Sequence, residues 1–303
     1  MKLSTFVAGG QMRWGALHGD MAIDLNLARA MLLASRGLEA KYLASDALDF
    51  LRQGDSAWEA AQETLEFFGH RVVDGISFHK ESATLLAPLA NPSKVIGIGL
   101  NYGEHRREQS AAPADYPVLF PKFSSSIIGP DDVITWDPAL TQQVDYEGEL
   151  GIVIGKRAKR VSEVEALEFV FGYCNLNDIS ARDLQHDERG HKQWTRGKSL
   201  DTFCPIGPYI VSKDEIADVQ NLRVRTWVNG ELRQDSNTGN MISNAAQLVS
   251  FISQGITLLP GDIIASGTPA GVGHYRQPPI YLKPGDVVEV EVEGLGRLSN
   301  PVR

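Results

Sequence analysis

Cysteines, long apolar runs and positive charge are all scarce in this chain of 303 residues. Its two cysteines, Cys174 and Cys204, form no C-x-x-C pair, which excludes a thiolate metal site and argues against a disulfide framework. No run of 18 apolar residues is present, so we expect no membrane span. The net charge of -9 disfavours nucleic acid and anionic membranes as partners. With no secretory signal pattern, these absences predict a cytoplasmic protein.

Several enzyme signatures are also missing. There is no G-x-S-x-G nucleophile elbow, which makes a serine hydrolase improbable. The glycine-rich stretch Gly267–Gly273 lacks the lysine of a phosphate-binding loop, and Pro269 within it argues against a dinucleotide site. The histidines show no H-x-x-x-H metal spacing. The glycines of this stretch therefore either form a tight turn or offer backbone amides to a substrate carboxylate.

The pattern of secondary structure predicts an α+β, strand-rich protein in two parts that meet near Asn91-Pro92. Residues 1–90 are expected to form a small α+β module in which short strands precede helices. Its clearest helix starts with a capping box at Ser56 and Glu59 and ends at Gly69. The short strands are predicted at Leu3–Val7, Trp14–Leu17 and Met21–Leu25.

Residues 91–303 carry more strand signals. Asn229-Gly230 predicts a β-hairpin, and alternating valine and glutamate over 288–293 predicts a strand with one buried face. One helix is expected here, capped by Ser162 with Glu165 and with an apolar stripe that ends at Phe171. Because strands and helices do not alternate regularly, a doubly wound parallel sheet is disfavoured.

Three carboxylates are the most informative feature of the chain. Glu147 and Glu149 lie two residues apart at the start of a predicted strand, so their side chains share one face. Two carboxylates held this close repel, so either one takes a proton or a cation lies between them. Asp178, at the end of another apolar run, would complete an all-oxygen site for Mg2+ or Mn2+. The alternative is a basic partner such as Arg182, because an unpaired buried charge is costly.

Two other segments carry candidate chemistry. His105 and Glu108 share a face if they lie in a helical turn, where the carboxylate would orient the histidine as a general base. The alternative is a polar surface helix. The loop-like stretch 110–115 that follows is a candidate lid. Lys198 has apolar neighbours that predict partial burial, and beside a metal-bound anion it would stabilise an enolate.

Six segments of this chain, in this order, resemble the fumarylacetoacetate hydrolase family, and the resemblance extends from about Pro92 to Val302. The segments are Gly-Leu-Asn-Tyr-Gly-Glu-His (99–105), Phe-Pro-Lys-Phe-Ser-Ser-Ser-Ile-Ile-Gly-Pro (120–130), Asp-Tyr-Glu-Gly-Glu-Leu (145–150), Asn-Asp-Ile-Ser-Ala-Arg-Asp (177–183), Gly-Lys-Ser-Leu-Asp-Thr-Phe-Cys-Pro-Ile-Gly-Pro (197–208) and Gly-Thr-Pro-Ala-Gly-Val-Gly (267–273). Within the family the chain is most similar to the fumarylacetoacetate hydrolase domain-containing proteins, which have a short N-terminal module.

The resemblance implies a catalytic domain with a mixed β-roll over residues 91–303 and a homodimer. It also implies roles for individual residues. These are Glu147, Glu149 and Asp178 as ligands of Mg2+ or Mn2+, His105 and Glu108 as the pair that activates water, Lys198 as a catalytic lysine, and Tyr102, Arg182 and Thr268 as substrate contacts.

The expected reaction is hydrolysis of a C–C bond in a 2,4-dioxo acid by way of a metal-stabilised pyruvate enolate. The partner is accordingly a small 2-oxo acid. Tautomerisation or decarboxylation of oxaloacetate and isomerisation of a hydroxydienoate use the same enolate and remain alternatives. A non-catalytic protein that kept the fold is a further alternative, because a fold alone does not guarantee activity. The complete set of catalytic residues favours an enzyme.

Overall fold

The computed structural model describes residues 1–68, 71–112, 115–186 and 192–303. Within these ranges the chain is an α+β protein in which strands predominate, as the sequence predicts. The part before residue 91 contains β1 (Lys2–Ala8), β2 (Gln11–His18), β3 (Met21–Asp24), α1 (Leu25–Ser35), α2 (Ala47–Gln53), α3 (Asp55–Phe68), β4 (Ser77–His79) and β5 (Thr84–Leu86).

The part from residue 91 onward contains most of the strands. They are β6 (Val95–Gly99), β7 (Val118–Lys122), β8 (Ile127–Ile128), β9 (Val144–Asp145), β10 (Gly148–Ile154), β11 (Val170–Asn177), β12 (Ser180–Ala181), β13 (Cys204–Ser212), β14 (Arg223–Val228), β15 (Glu231–Asn237), β16 (Ile263–Ala265), β17 (Val287–Val292) and β18 (Arg297–Pro301). The helices are α4 (Gly103–Glu108), α5 (Arg182–Gln185), α6 (Trp194–Lys198) and α7 (Ala245–Gly255).

The strands form one large mixed sheet and two smaller sheets. In the described residues the large sheet has 12 strands, in the order β4-β3-β2-β1-β13-β11-β10-β16-β6-β7 with β5 beside β1 and β8 beside β13. Its pairings β16–β6 and β13–β8 are parallel, whereas those at its centre, such as β10–β11, are antiparallel. Because β1 pairs with β13, the strands near the N-terminus continue this sheet. A second sheet has the order β15-β14-β17-β18, and β9 pairs with β12.

Local sequence accounts for several of these elements. Asn229-Gly230 joins β14 to β15, as predicted, and both residues have positive φ (53° and 76°), which a tight hairpin turn requires. In β17 the side chains of Val288, Val290 and Val292 are buried while the glutamates between them are more exposed, so the predicted alternation is confirmed. Here a pattern of period two is enough to fix which face points inward.

The predicted cap of the third helix is wrong, although the helix itself is present. Helix α3 starts at Asp55, directly after Gly54, whose carbonyl accepts a hydrogen bond from the Trp58 amide at 3.1 Å. Ser56 therefore lies inside the first turn and does not cap it. The predicted end of this helix at Gly69 lies outside the described residues.

The helix predicted after Ser162 is also wrong. Ser162 Oγ does lie 2.6 Å from Glu165 Oε2, but only a short 3-10 turn follows, at Ala166–Phe169, and β11 begins at Val170. Val170 pairs with β10, and the Phe171 ring packs edge-on against Trp58 with 5.5 Å between ring centroids. Packing against the sheet and the N-terminal helices therefore overrides the local helical signal.

The central strands place the functional side chains. Every residue of β10 is buried, and β10 pairs with β11 so that Gly148 faces Asn177. The start of one strand thus meets the end of the other inside the protein. Among the described residues, no helix has the length and apolar character needed to cross a bilayer.

Candidate metal and active site

Three predicted carboxylates converge where β10 begins and β11 ends. Glu147 precedes β10, Glu149 lies within it, and Asp178 follows β11, with the Asp178 amide donating to the Glu147 carbonyl at 2.8 Å. One oxygen from each of the three carboxylates lies within 4.8 Å of the others, and all three residues are buried. Antiparallel pairing thus brings residues that are distant in sequence to one point.

Buried cations accompany two of these carboxylates. Lys198 Nζ lies 2.7 Å from Glu147 Oε2 and 2.5 Å from Asp178 Oδ2. Arg182 Nη1 lies 2.7 Å from Glu147 Oε1, and Lys122 Nζ lies 2.6 Å from Asp178 Oδ1. The sequence left open whether a metal ion or a basic residue partners the acids, and for Glu147 and Asp178 basic partners are present.

Glu149 differs from the other two carboxylates. Within the described ranges it forms no ion pair, and its Oε2 accepts a hydrogen bond from the Gly267 amide at 2.9 Å. Burial, followed by the charges of Asp178 and Glu147, raises the pKa of Glu149 well above its usual value. For Glu147, burial raises the pKa but Lys198 and Arg182 lower it more, so that the pKa lies below its usual value.

This donor set fits a hard divalent cation. It offers carboxylate oxygens alone, which suit Mg2+ and Mn2+, and one of its buried acids, Glu149, has no ion-pair partner among the described residues. A cation beside Glu149 would relieve the repulsion that raises its pKa. Glu147, Glu149 and Asp178 are therefore the residues that would hold such an ion.

The histidine that is predicted to act as a base, and the carboxylate that orients it, lie on a short helix beside this cluster. His105 and Glu108 are one turn apart in α4, and His105 Nδ1 lies 2.6 Å from Glu108 Oε1. Glu108 is fixed in turn by the Gly271 amide, which donates to Oε2 at 3.0 Å. His105 Nε2 lies 2.5 Å from Gln109 Nε2. Because His105 is only 4% exposed, the alternative of a solvated surface helix does not describe it.

Backbone amides of the stretch Gly267–Gly273 bind carboxylates of the protein itself. The amides of Gly267 and Gly271 bind Glu149 and Glu108, as described above, and the Gly273 amide donates to Asp145 Oδ1 at 2.7 Å. Gly267 has a φ of +98°, which a side chain rarely adopts. The stretch is therefore both a tight turn and an amide donor, and these three amides are not available to a substrate.

Arg182 is held in place by Asp145. The guanidinium donates from Nε and Nη2 to Asp145 Oδ2 at 3.0 and 2.8 Å, and both residues are buried. Burial lowers the pKa of Arg182, but the charges of Glu147 and Asp145 raise it more, so this group stays charged. One carboxylate, Asp145, thus ties Arg182 to the Gly267–Gly273 stretch.

A narrow cavity of about 20 Å3 lies beside these groups. Its lining includes His105, Glu147, Arg182, Lys198 and Thr268, all predicted site residues. The apolar side chains of Ile98, Phe120 and Trp194 also contribute. The site thus combines a histidine base, buried charges and an apolar wall in one small space.

The remaining predicted residues lie elsewhere or outside the described ranges. Tyr102 is fully buried in an apolar cluster and is not part of the cavity lining, and among the residues that the structure describes its hydroxyl has no hydrogen-bond partner. Burial raises the pKa of Tyr102. In the candidate lid, residues 113 and 114 lie outside the described residues.

Sequence reasoning missed four residues of this site: Lys122, Asp145, Gln109 and Tyr275. Lys122 and Asp145 lie within segments that carry the family resemblance, which was the available signal. Nothing local reveals their partners, because Lys122 binds a residue 56 positions away and Asp145 one 37 positions away. Only the folded chain brings these charges together.

Comparison with known proteins agrees with this geometry. A profile of the fumarylacetoacetate (FAA) hydrolase C-terminal family matches residues 94–303. The chain belongs to the fumarylacetoacetate hydrolase family. One curated member, the oxaloacetate tautomerase fahd2, mitochondrial, of Xenopus laevis, is 46% identical over 254 residues, which cover 84% of this chain and 77% of that protein.

Solved structures of the family share the fold over the whole chain. A fumarylacetoacetate hydrolase (EaFAH) from Exiguobacterium antarcticum has a TM-score of 0.81 at 39% identity, covering 100% of this chain and 99% of that chain. A 2-hydroxyhepta-2,4-diene-1,7-dioate isomerase from Mycobacterium marinum has a TM-score of 0.72 at 36% identity, covering 100% and 98%. By these names the family includes hydrolases, isomerases and tautomerases.

Proposed function

We propose that this chain catalyses keto–enol tautomerisation of a small 2-oxo acid, with oxaloacetate as the first substrate to test. The observation that carries the proposal is a histidine base, held by Glu108, that lines the same cavity as Glu147 of the carboxylate cluster. The name of the Xenopus laevis relative supports the same reaction. The tautomerase alternative from the sequence is thus better supported than hydrolysis, the reaction that the sequence favoured.

The buried charges prepare the cavity for an anionic substrate. Glu147, Glu149 and Asp178 would hold the divalent ion, which as a Lewis acid would supply positive charge to the 2-oxo acid. Lys198 adds a cation: burial lowers its pKa, but Asp178 and Glu147 raise it more, so that it stays protonated. Fixed positive charge in a site with little water stabilises an enolate more than water does.

His105 moves the proton. Glu108 accepts a hydrogen bond from Nδ1, which leaves Nε2 as the basic nitrogen. Nε2 takes the proton from C3 of the keto form, and the proton returns to the C2 oxygen to give the enol. Gln109 contacts Nε2, so its side chain has to turn away when the substrate enters.

The test is the rate at which oxaloacetate approaches keto–enol equilibrium, followed by the ultraviolet absorbance of the enol. We expect His105→Asn to lower kcat by about 10²–10⁴-fold, the usual contribution of a general base. His79→Asn is the matched control, because His79 is exposed on β4. Turnover in His105→Asn equal to that of the control would contradict the proposal.

Hydrolysis of a C–C bond is the second candidate. It is favoured by the same histidine nitrogen, since a base that lines a cavity can activate water as well as remove a carbon-bound proton. Acetylpyruvate and oxaloacetate, assayed on one preparation with and without chelator, distinguish the two reactions. Faster turnover of acetylpyruvate would favour hydrolysis, whereas carbon dioxide release from oxaloacetate would indicate a decarboxylase. Metal binding without turnover of either substrate would favour the non-catalytic alternative.

A further inference from the structure

Tyr275 is a cavity residue without a role in the chemistry above. It follows the Gly267–Gly273 stretch and lines the cavity together with His105 and Arg182. Its ring lies edge-on to the His105 imidazole, with 6.2 Å between centroids and 69° between planes. Tyr275 therefore lies beside the space in which His105 would act.

The cations around the cavity are already engaged. The Lys198 ammonium donates three hydrogen bonds, from Nζ to Glu147 Oε2, Asp178 Oδ2 and Ser180 Oγ at 2.7, 2.5 and 2.9 Å. The Arg182 guanidinium donates hydrogen bonds to Asp145 and Gln185 and forms an ion pair with Glu147. Lys198 thus has no N–H left, and Arg182 has at most one of its five N–H groups left for a second anionic group on the substrate.

The Tyr275 hydroxyl has the properties of a further donor for that group. Burial raises the pKa of Tyr275, so that the phenol keeps its proton at neutral pH. Within the part of the chain that the structure describes, this hydroxyl makes no hydrogen bond, so no described residue competes with a ligand for its proton. A neutral O–H that donates to a carboxylate makes a charge-assisted hydrogen bond.

The position of Tyr275 is coupled to that of Arg182. The amides of Gly273 and His274, directly before it, both donate to Asp145, at 2.7 and 2.9 Å. The same carboxylate binds Arg182. Asp145 thus fixes the backbone beside Tyr275 relative to the cavity wall, as a specificity residue requires.

We propose that the Tyr275 hydroxyl binds the distal carboxylate of a four-carbon 2-oxo diacid and so selects dicarboxylic over monocarboxylic 2-oxo acids. This inference rests on the proposed function and names the class of substrate for that site. It predicts that loss of the hydroxyl weakens substrate binding while proton transfer at His105 continues.

The experiment compares oxaloacetate with 2-oxobutyrate, which has the same number of carbons but a methyl group in place of the distal carboxylate. Exchange of the C3 protons for deuterium, followed by NMR and corrected for the uncatalysed rate, gives KM and kcat for both. We expect Tyr275→Phe to raise KM for oxaloacetate by about tenfold, as for a lost hydrogen bond to a charged group. KM for 2-oxobutyrate and both kcat values should change little.

Tyr281→Phe is the matched control. Its hydroxyl lies 2.9 Å from His274 Nδ1 and 3.2 Å from Gln143 Oε1, outside the cavity lining, so its removal tests the segment without altering the cavity. An equal rise of KM for the two acids, an equal effect of the control, or no effect of Tyr275→Phe would overturn the inference. Wild-type protein without catalysed exchange on either acid would overturn the proposed function, and this inference with it.

Discussion

Replacing Lys122 by methionine tests the charge balance of the site. The Lys122 ammonium is completely buried and binds Asp178 Oδ1 at 2.6 Å as well as the carbonyl of Lys198. Methionine has a similar length and no charge, so the variant removes one cation and leaves a buried carbonyl without its donor. We expect a clear loss of stability, because the remaining polar atoms have no water to replace the ammonium.

The size of that loss follows from the contacts. Removing one partner of a buried ion pair costs about 3–5 kcal/mol. Asp178 keeps Lys198 at 2.5 Å, so the lower end, about 3 kcal/mol, is expected. At about 2 °C per kcal/mol for a large domain, Tm should fall by about 6 °C. That is a sizeable part of a total stability of about 5–15 kcal/mol.

The assay is thermal and urea unfolding in chelator, so that no bound ion masks the effect. Lys156→Met is the matched control, since Lys156 pairs with Asp55 at 2.8 Å but the two side chains are 50% and 71% exposed. Such a surface pair contributes about 1 kcal/mol or less. Equal losses in the two variants would refute the reasoning, because burial would then make no difference to the pair.

Three further predictions concern the same site. In chelator, Glu149→Gln should unfold at or above the wild-type Tm, because it removes a buried carboxyl whose pKa is raised, and Mg2+ or Mn2+ should no longer raise Tm. Gly271→Ala should lower both Tm and kcat, since an added Cβ would lie 2.2 Å from the Arg233 carbonyl and shift the amide that holds Glu108. Gly285→Ala, which has similar φ but open space around it, is the control. Chelator should abolish turnover of oxaloacetate by wild-type protein, and added Mg2+ or Mn2+ should restore it; full activity without metal would contradict the cation site.

Patterns of neighbouring residues in the sequence predicted several structural elements of this protein correctly. The Asn229-Gly230 turn and the alternating valines of β17 need only neighbouring residues, and both are present. The spacing of Glu147 and Glu149 at the start of β10 likewise predicted a shared face. The apolar run that ends at Asp178 predicted the third acid, and the resemblance to the family added the β-roll and the roles of individual residues.

Signals that depend on packing were misread. The capping pair Ser162 and Glu165 forms its local contact, but Val170 pairs with Ile154 of β10, and Phe171 packs on Trp58 of α3. The same apolar residues can form either the apolar face of a helix or a buried strand. Which one forms depends on the surface available to cover them.

The sequence by itself determined the chemical inventory: three acids, a histidine with its carboxylate, and a glycine-rich turn. Tertiary structure decided how these groups are charged and connected. It brought Lys122 and Lys198 into contact with Asp178 and bound the turn amides to protein carboxylates. Among the described residues it gave Glu149 no basic partner. The physical reason is that ion pairing and desolvation depend on distance and burial in space, which residues far apart in the chain acquire only when it folds.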